Sequence, residues 1–418
     1  MQDILIINIK TLYGILPKET RIKKGPEMAD FAGINNAWLL VENGLISAFG
    51  KMEDINFVNQ QINKSVNKID ATGKLILPSF VDSHTHLVFA RSREEEFVLK
   101  IKGATYEEIA AAGGGILNSA RRLQQATEDE LFESASHRLQ ELIRKGTGAI
   151  EIKSGYGLTV ADEIKMLRVV KRLKEKASIP IKATFLGAHT YPAEYKQNHE
   201  GYLHLILDEM LPNIAAEGLA DYIDVFCEAG FFSPEETTRI LEAGVKYGLK
   251  AKIHGNQLGR NGGVQVAVAH NAISVDHLEH TGDEEIELLK NSATLPVGLP
   301  GCSFYLGLPY TPAKKLINAG LPVVLASDLN PGSSPAGDMR FITALGCIQM
   351  KLTPEESFNA TTINGAAALE LSGDVGSITI GKKANFILTR QIPSLAWIPY
   401  AHQSEWIDSV FINGEVFK

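Results

Sequence analysis

The chain reads as an α/β protein: a (β/α)8 barrel of the TIM type with a small β-sandwich domain formed from both termini. Two observations predict this. Eight short apolar segments alternate with helical patterns through the middle of the chain, the signature of repeated βα units on a parallel sheet. Both ends share a different texture of β-branched runs and tight turns. The length of 418 residues, with 44% hydrophobic and 22% charged residues, is ample for a large core and excludes disordered and fibrous classes.

Taken in order, "DILIINIKTL", "NNAWLLVENGLISAFG" and "NKIDATGKLILPSF" supply N-terminal strands, with a hairpin at Asn43-Gly44. The barrel strands are expected in "LILPSFVDSHTH", "GAIEIKSGYG", "IKATFLGAHT", "YIDVFCEAG", "KAKIHGNQ", "ISVDHLEH", "TLPVGLPG" and "LPVVLASD". Between them, Leu131, Ala135, Leu139 and Leu142 mark one helix. Met166, Val169, Val170 and Leu173 mark another, with Thr159 as a candidate N-cap. The tail, "GSITIGKKANFILTR" and "WIDSVFINGEVFK", returns to the β texture with a second hairpin turn at Asn413-Gly414. The expected division is 1–75 and 373–418 for the two parts of the β-sandwich and 76–372 for the barrel.

Charge and cysteine content narrow the partners. Lysine and arginine number 41 against 49 acidic residues, a net charge of −8, without a run of five like charges, so neither a nucleic-acid nor an anionic-membrane footprint is present. A small-molecule substrate is the expectation. Cys227, Cys302 and Cys347 are too few and too scattered for a disulfide framework or a zinc ribbon, and read as reduced thiols of a cytoplasmic protein. The N-terminus lacks the pattern of a signal peptide, and no apolar stretch reaches the ~18 residues of a membrane span.

A (β/α)8 barrel carries its chemistry at the C-terminal ends of its strands, and the polar residues fall there. His84 and His86 end the first expected strand, His189 the third, His254 the fifth, His277 the sixth and Asp328 the eighth. A His-x-His pair on a strand sends both imidazoles to one face. By itself that pair could be a hydrogen-bonded structural one; with His254 and Asp328 it makes a mixed N/O set suited to one divalent ion, Zn2+ or Fe2+/Fe3+, with a position left for water. Such an ion lowers the pKa of bound water from about 15.7 towards about 7. Asp328 can then accept a proton and pass it to a leaving nitrogen, and His277 is placed to assist; the bland alternative for His277 is a satisfied core histidine. His137, His199, His204, His270 and His402 read as solvated, capping or tail residues, and His280 as second shell or surface. Gly113, Gly114 and Gly115 match no phosphate-loop spacing and read as a loop near the site mouth.

"PSFVDSHTH", the lone histidines of strands five and six, and "ASD" on strand eight resemble the amidohydrolase superfamily. "HTHLVFARSREEEF", "KGATYEEIAAAGGGI", "EIKSGYGL", "TFLGAHTYPAEY" and "ASDLNPGSSP" resemble, within it, the imidazolonepropionase family. Arg91 departs from that family's pattern, where a small residue is expected, while Arg93 holds its arginine position. The resemblance implies metal-dependent hydrolysis of the cyclic amide of 4-imidazolone-5-propanoate to N-formimidoyl-L-glutamate in L-histidine degradation. It implies substrate contacts at Arg93, Tyr156, His189 and Gln257, and a homodimer. Arg93 has the fork that a propanoate needs, the alternative being a surface pair with Glu94, Glu95 or Glu96. Asn330, Gly332 and Ser333, with small side chains and free amides, suit a carboxylate or carbonyl cradle or else a plain turn.

Two rival readings are a purine or pyrimidine deaminase and a non-catalytic binding barrel. A deaminase resembles its kin in a His-x-x-Glu on strand five, where this chain has His254 and Gln257, and Gln carries no proton to shuttle. A binding barrel has no need of four metal-type ligands.

Overall fold

The computed structural model describes residues 3–55, 66–104, 108 and 114–418. The N-terminal strands are β1 (Ile4–Tyr13), β2 (Gly33–Glu42), β3 (Leu45–Lys51), β4 (Asn67–Asp70) and β5 (Lys74–Pro78). The β2–β3 turn has φ of 51° at Asn43 and 77° at Gly44, the left-handed pair that a two-residue hairpin needs and that Asn-Gly tolerates best.

Eight parallel strands follow in sequential neighbour order: β6 (Phe80–Asp82), β7 (Thr147–Lys153), β8 (Ile181–Ala188), β9 (Tyr222–Cys227), β10 (Lys250–Gly255), β11 (Ser274–His277), β12 (Leu295–Gly298) and β13 (Val324–Leu325). A parallel bridge between Thr85 and Leu329 joins the first and last at the C-terminal rim. There Asp328 N donates to His84 O (3.0 Å) and His86 N to Leu329 O (2.7 Å). Each expected strand segment contains one of these strands, except that β7 begins one residue before its segment. The first is divided: Lys74–Pro78 belongs to the terminal sheet, and only Phe80–Asp82 enters the barrel. The reason is a change of partner across one residue, since Ser79 N donates to Asn385 O (3.1 Å) and Phe80 N to Gly146 O (2.9 Å).

The helices cover the barrel through the apolar stripes that the sequence shows. In Glu128–Arg144, capped by a Thr127/Glu130 box, Leu131, Ala135, Leu139 and Leu142 are buried. In Val160–Lys176, Thr159 caps by accepting from Asp162 N, and Met166, Val169, Val170 and Leu173 are buried. Burying each larger aliphatic side chain contributes roughly 1.5–3 kcal/mol.

The chain returns to the first sheet through β14 (Phe386–Gln391), β15 (Ile407–Ile412) and β16 (Glu415–Val416), with φ of 49° and 77° at Asn413 and Gly414 in the closing hairpin. The sheet order is β16-β15-β14-β5-β1-β2-β3, with β4 on β1. Ile6, Ile9, Leu39, Phe386 and Phe411 form its core. It is tied to the barrel by Asn385 Nδ2 to Gly148 O (3.2 Å) and Asn413 Nδ2 to Ser178 O (2.8 Å).

Candidate active site and metal centre

The barrel mouth gathers His84, His86, His254, His277 and Asp328, all buried. His84 and His86 lie just beyond β6 on either side of Thr85, whose hydroxyl turns away to donate to Glu151 O (2.5 Å). The two imidazoles therefore share a face, as the period-two argument requires. His84 Nε2 and His86 Nε2 lie 3.6 and 3.5 Å from Asp328 Oδ1. His84, His86 and Asp328 offer ligand atoms within 4.8 Å of one another, and so do His84, His254 and His277.

Carboxylates from behind set the aim of these rings. His84 Nδ1 is 2.6 Å from Asp276 Oδ2, and His254 Nδ1 is 3.0 Å from Asp224 Oδ1. Each carboxylate places the ring proton on Nδ1, so Nε2 carries a lone pair toward the centre. Both Nε2 atoms are buried with no hydrogen-bond partner among the described residues. Burial, reinforced by the neighbouring imidazoles and Lys153, holds His84 and His86 well below the usual histidine range, and burial also lowers His254 against the pull of Asp224. Neutral imidazoles with orphaned nitrogens beside a carboxylate are the donor set of a divalent ion, and the residues fit such an ion.

His277 differs. Burial pulls it down, but Glu279, Asp328 and Asp276 outweigh this and raise it to about 9. Its Nδ1 faces Glu279 Oε1 (3.3 Å), which also accepts from Ser303 Oγ (3.1 Å). Asp328 is raised by burial, with His277 and His254 opposing. Both residues are held at positive φ, 89° at His277 and 52° at Asp328, a strain of roughly 1–3 kcal/mol each that clusters at functional sites.

A cavity of about 400 Å³ opens onto this centre and is lined by every expected substrate contact: Arg93, Tyr156, His189, Gln257, Asn330, Gly332 and Ser333. His189 stacks on His86 with centroids 5.0 Å apart, and its Nδ1 is 3.0 Å from Gly155 O. Burial, then the neighbouring His254, pushes its pKa down to about 3, so it faces the cavity neutral. Tyr156 lies 5.3 Å from the His189 ring. Gln257 is anchored through its backbone N to Glu228 Oε1 (2.6 Å), leaving Nε2 against Cys302 Sγ (3.4 Å).

Arg93 lies with its guanidinium close against Gly332, where a Cβ would stand 1.3 Å from Nη2. Among the described residues, Glu96 alone pairs with it, at 3.8 Å, and Nε is buried without a partner. The cradle expected from free amides is built differently. Gly332 N and Ser333 N both donate to Asn330 Oδ1 (2.8 and 2.7 Å), and Asn330 Nδ2 donates to Asp328 O (2.8 Å) and Ser333 Oγ (2.7 Å). An Asn two or three residues ahead of those amides takes them up locally. What the loop offers the cavity is the Ser333 hydroxyl and, at Gly332, the space that Arg93 occupies.

The remaining six histidines line no part of the cavity. Of the glycine triplet, Gly113 falls outside the described residues, as do most of those between Gly103 and Gly114; Gly115 lines the cavity and donates its N to Glu96 (3.1 Å). Sequence reasoning missed Asp224, Asp276 and Glu279, which hold the histidines, and Phe97, Lys100 and Phe226 of the cavity wall. The available signal for Asp224 and Asp276 was a charge inside an otherwise apolar strand; Glu279 lies beyond β11 and had no such signal.

Comparison with known proteins agrees with this geometry. The model of the amidohydrolase family matches residues 75–417. The imidazolonepropionase of Christiangramia forsetii is 52% identical over 99% of both chains. That of Flavobacterium johnsoniae is 54% identical over 99% of both. That of a Geobacillus species is 39% identical over 100% of this chain and 98% of its own. Among solved structures, E. coli guanine deaminase superposes with a TM-score of 0.72 at 16% identity, covering 100% of this chain and 99% of its own. A triazine hydrolase from Arthobacter aurescens gives 0.73 at 16%, covering 100% and 94%. At such identities the two structures speak for the fold alone.

Proposed function

The chain belongs to the amidohydrolase family, and from that premise we propose how its site carries out the reaction of its imidazolonepropionase relatives. The protein is a hydrolase acting on a cyclic amide C–N bond: it converts 4-imidazolone-5-propanoate to N-formimidoyl-L-glutamate in L-histidine degradation. One water is added, the ring carbonyl becomes a carboxylate, and the ring nitrogen it leaves becomes part of the formimidoyl group. The observation that carries the mechanistic reading is the pairing, across one cavity, of a metal-type ligand set with a half-buried arginine whose Nε has no partner among the described residues.

In this reading His84, His86, His254 and Asp328 hold one divalent ion, Zn2+ or Fe2+/Fe3+. When bound, the ion supplies Lewis acidity and a water acidified to near neutral pH. Asp328 is the proton carrier, accepting from water through a carboxylate oxygen and returning the proton to the departing ring nitrogen. His277, held as a donor by Glu279, hydrogen-bonds the developing oxyanion of the carbonyl. Arg93 grips the propanoate, with Ser333 as an adjacent hydroxyl donor and Asn330 and Gly332 keeping the loop in shape. Tyr156, the neutral His189 and Gln257 enclose the ring. Gln257 in place of a carboxylate supports ring opening over deamination.

The same reading takes the barrel as 76–372 and the terminal unit as 1–75 with 373–418. It places the enzyme in the cytoplasm as a homodimer, acting on a small molecule and not on nucleic acid or membrane. Among the described residues, no helix is long and apolar enough to cross a membrane.

Elemental analysis beside an absorbance assay of 4-imidazolone-5-propanoate tests this. We expect about one metal per chain, loss of turnover on chelation, recovery with Zn2+ or Fe2+, and loss of both metal and turnover in Asp328→Ala. Undiminished turnover of metal-free protein overturns the metal assignment.

A further inference from the structure

Beneath the ligand set the barrel interior is ionic. Glu151 and Lys153 on β7, Asp224 on β9, Lys252 on β10 and Asp276 on β11 are all buried, and period-two geometry brings Glu151 and Lys153 of the "EIKSGYGL" stretch to the same inward face. Charged side chains are almost never fully buried unless paired, and these are paired to one another. Lys153 Nζ lies 2.7 Å from Glu151 Oε1, 2.8 Å from Asp224 Oδ2 and 3.9 Å from Asp276 Oδ2. Lys252 Nζ lies 2.6 Å from Glu151 Oε2 and 3.0 Å from Ser83 O.

The two lysines are equally buried but differently connected. Asp224 turns one oxygen to Lys153 and the other to His254 Nδ1 (3.0 Å). Asp276 presents the same oxygen to Lys153 and to His84 Nδ1 (2.6 Å). One ammonium thus stands behind both carboxylates, and each carboxylate stands behind one imidazole. Lys252 touches neither Asp224 nor Asp276 within hydrogen-bond or ion-pair distance.

We propose that Lys153 is a positioning residue of the metal centre: it pins Asp224 and Asp276 together and through them sets the rotation of His254 and His84. The inference rests on the metal reading above. Without the ammonium, Asp224 Oδ2 loses its partner and Asp276 its ion-pair contact, leaving only the more distant charge of Lys252; both carboxylates gain freedom to turn, and the two Nε2 atoms no longer converge. Disturbing the partners that orient metal ligands costs about 10–100-fold in metal affinity, and the same loss is expected here from a residue one contact further back.

The test is the Zn2+ dissociation constant of the full-length protein, measured by chelator competition, in wild type, Lys153→Met, Lys153→Gln and Lys252→Met. Far-UV circular dichroism and thermal melts are recorded on the same samples. Both Lys153 variants are expected to bind Zn2+ 10–100-fold more weakly, whereas Lys252→Met loses thermal stability but keeps its affinity within about threefold. Lys153→Gln keeps a donor to Asp224 without the charge, and serves where the Met variant does not fold. Wild-type affinity in a folded Lys153 variant overturns the proposal, and so does an equal loss in Lys252→Met. If neither Lys153 variant folds even with excess Zn2+, the residue belongs to the fold alone and the proposal fails. A wild type that binds no Zn2+ and no Fe2+ defeats the metal reading itself, an outcome the same titration distinguishes.

Discussion

Replacing Gly332 with alanine probes the Arg93 clamp by exchanging one hydrogen for a methyl group. Gly332 is not held at positive φ, so the backbone accepts a side chain there. The new Cβ would stand 1.3 Å from Arg93 Nη2, 2.1 Å from Cζ and 2.6 Å from Nε. Restoring an ordinary contact of about 3.5 Å requires the guanidinium to move by about 2 Å, which lengthens any hydrogen bond it makes beyond useful range. Charge-assisted hydrogen bonds contribute about 1.5–3 kcal/mol, which corresponds to about 10–150-fold in binding. Because the propanoate arm is remote from the scissile bond, that loss is largely uniform binding and falls on KM with kcat little changed. The fold is spared, since the group that moves is the far end of a side chain, and the melting temperature should shift by only a few degrees. Steady-state turnover of Gly332→Ala, Arg93→Ala and the double variant closes a cycle: the double variant should be no worse than Arg93→Ala alone, because both single changes remove the same contact. A KM within twofold of wild type in Gly332→Ala refutes the reasoning, and so do strictly multiplicative effects.

His277→Asn should lower kcat by about 10²–10⁴-fold, with metal content near one per chain; parallel loss of metal in elemental analysis would move His277 into the ligand set. Glu163 accepts from the N–H groups of Gly155, Gly157 and Leu158 (3.1, 2.7 and 2.9 Å), the loop that carries Tyr156 and supports His189. Leaving three buried donors unpaired at ~1–3 kcal/mol each, Glu163→Ala should cost at least ~3 kcal/mol in chemical denaturation and raise KM; a loss under 1 kcal/mol counts against this role. Burial, with Arg21 adding to it, lowers the Lys382 pKa to about 8. Between pH 8 and the ordinary lysine value near 10.4 the unfolded chain then binds more protons than the folded one, so this group's contribution to stability rises with pH through that window. The melting-temperature gap between Lys382→Met and wild type should shift in wild type's favour from pH 7.5 to 10, and a pH-independent gap would contradict it.

Much of this protein is legible in its sequence because the relevant signals are local. Helix stripes such as Leu131–Leu142 and Met166–Leu173 need only one element's periodicity, and Asn43-Gly44 and Asn413-Gly414 need only the φ tolerance of two residues. His84 and His86 read as a pair because two residues apart on an extended chain means one face. His254, His277 and Asp328 join them because a barrel brings all strand ends to one rim.

The tertiary structure alone decided the rest, and in each case the deciding partner is distant in the chain. The "LILPSFVDSHTH" run gives no sign of changing sheets at Ser79, because the change is made by Asn385 and Gly146, each one residue ahead of a different strand. The Gly332 and Ser333 amides look free until the Asn330 side chain is seen to take them. Lys153 looks like an ordinary charge on an alternating strand; only closure of the barrel sets it behind Asp224 and Asp276. Periodicity, turn preference and metal-ligand chemistry are properties of residue types at fixed spacing, and the sequence determines them by itself. Which buried charges meet depends on long-range closure, and burial makes those meetings decisive, because an ion removed from water must find its partner inside the protein.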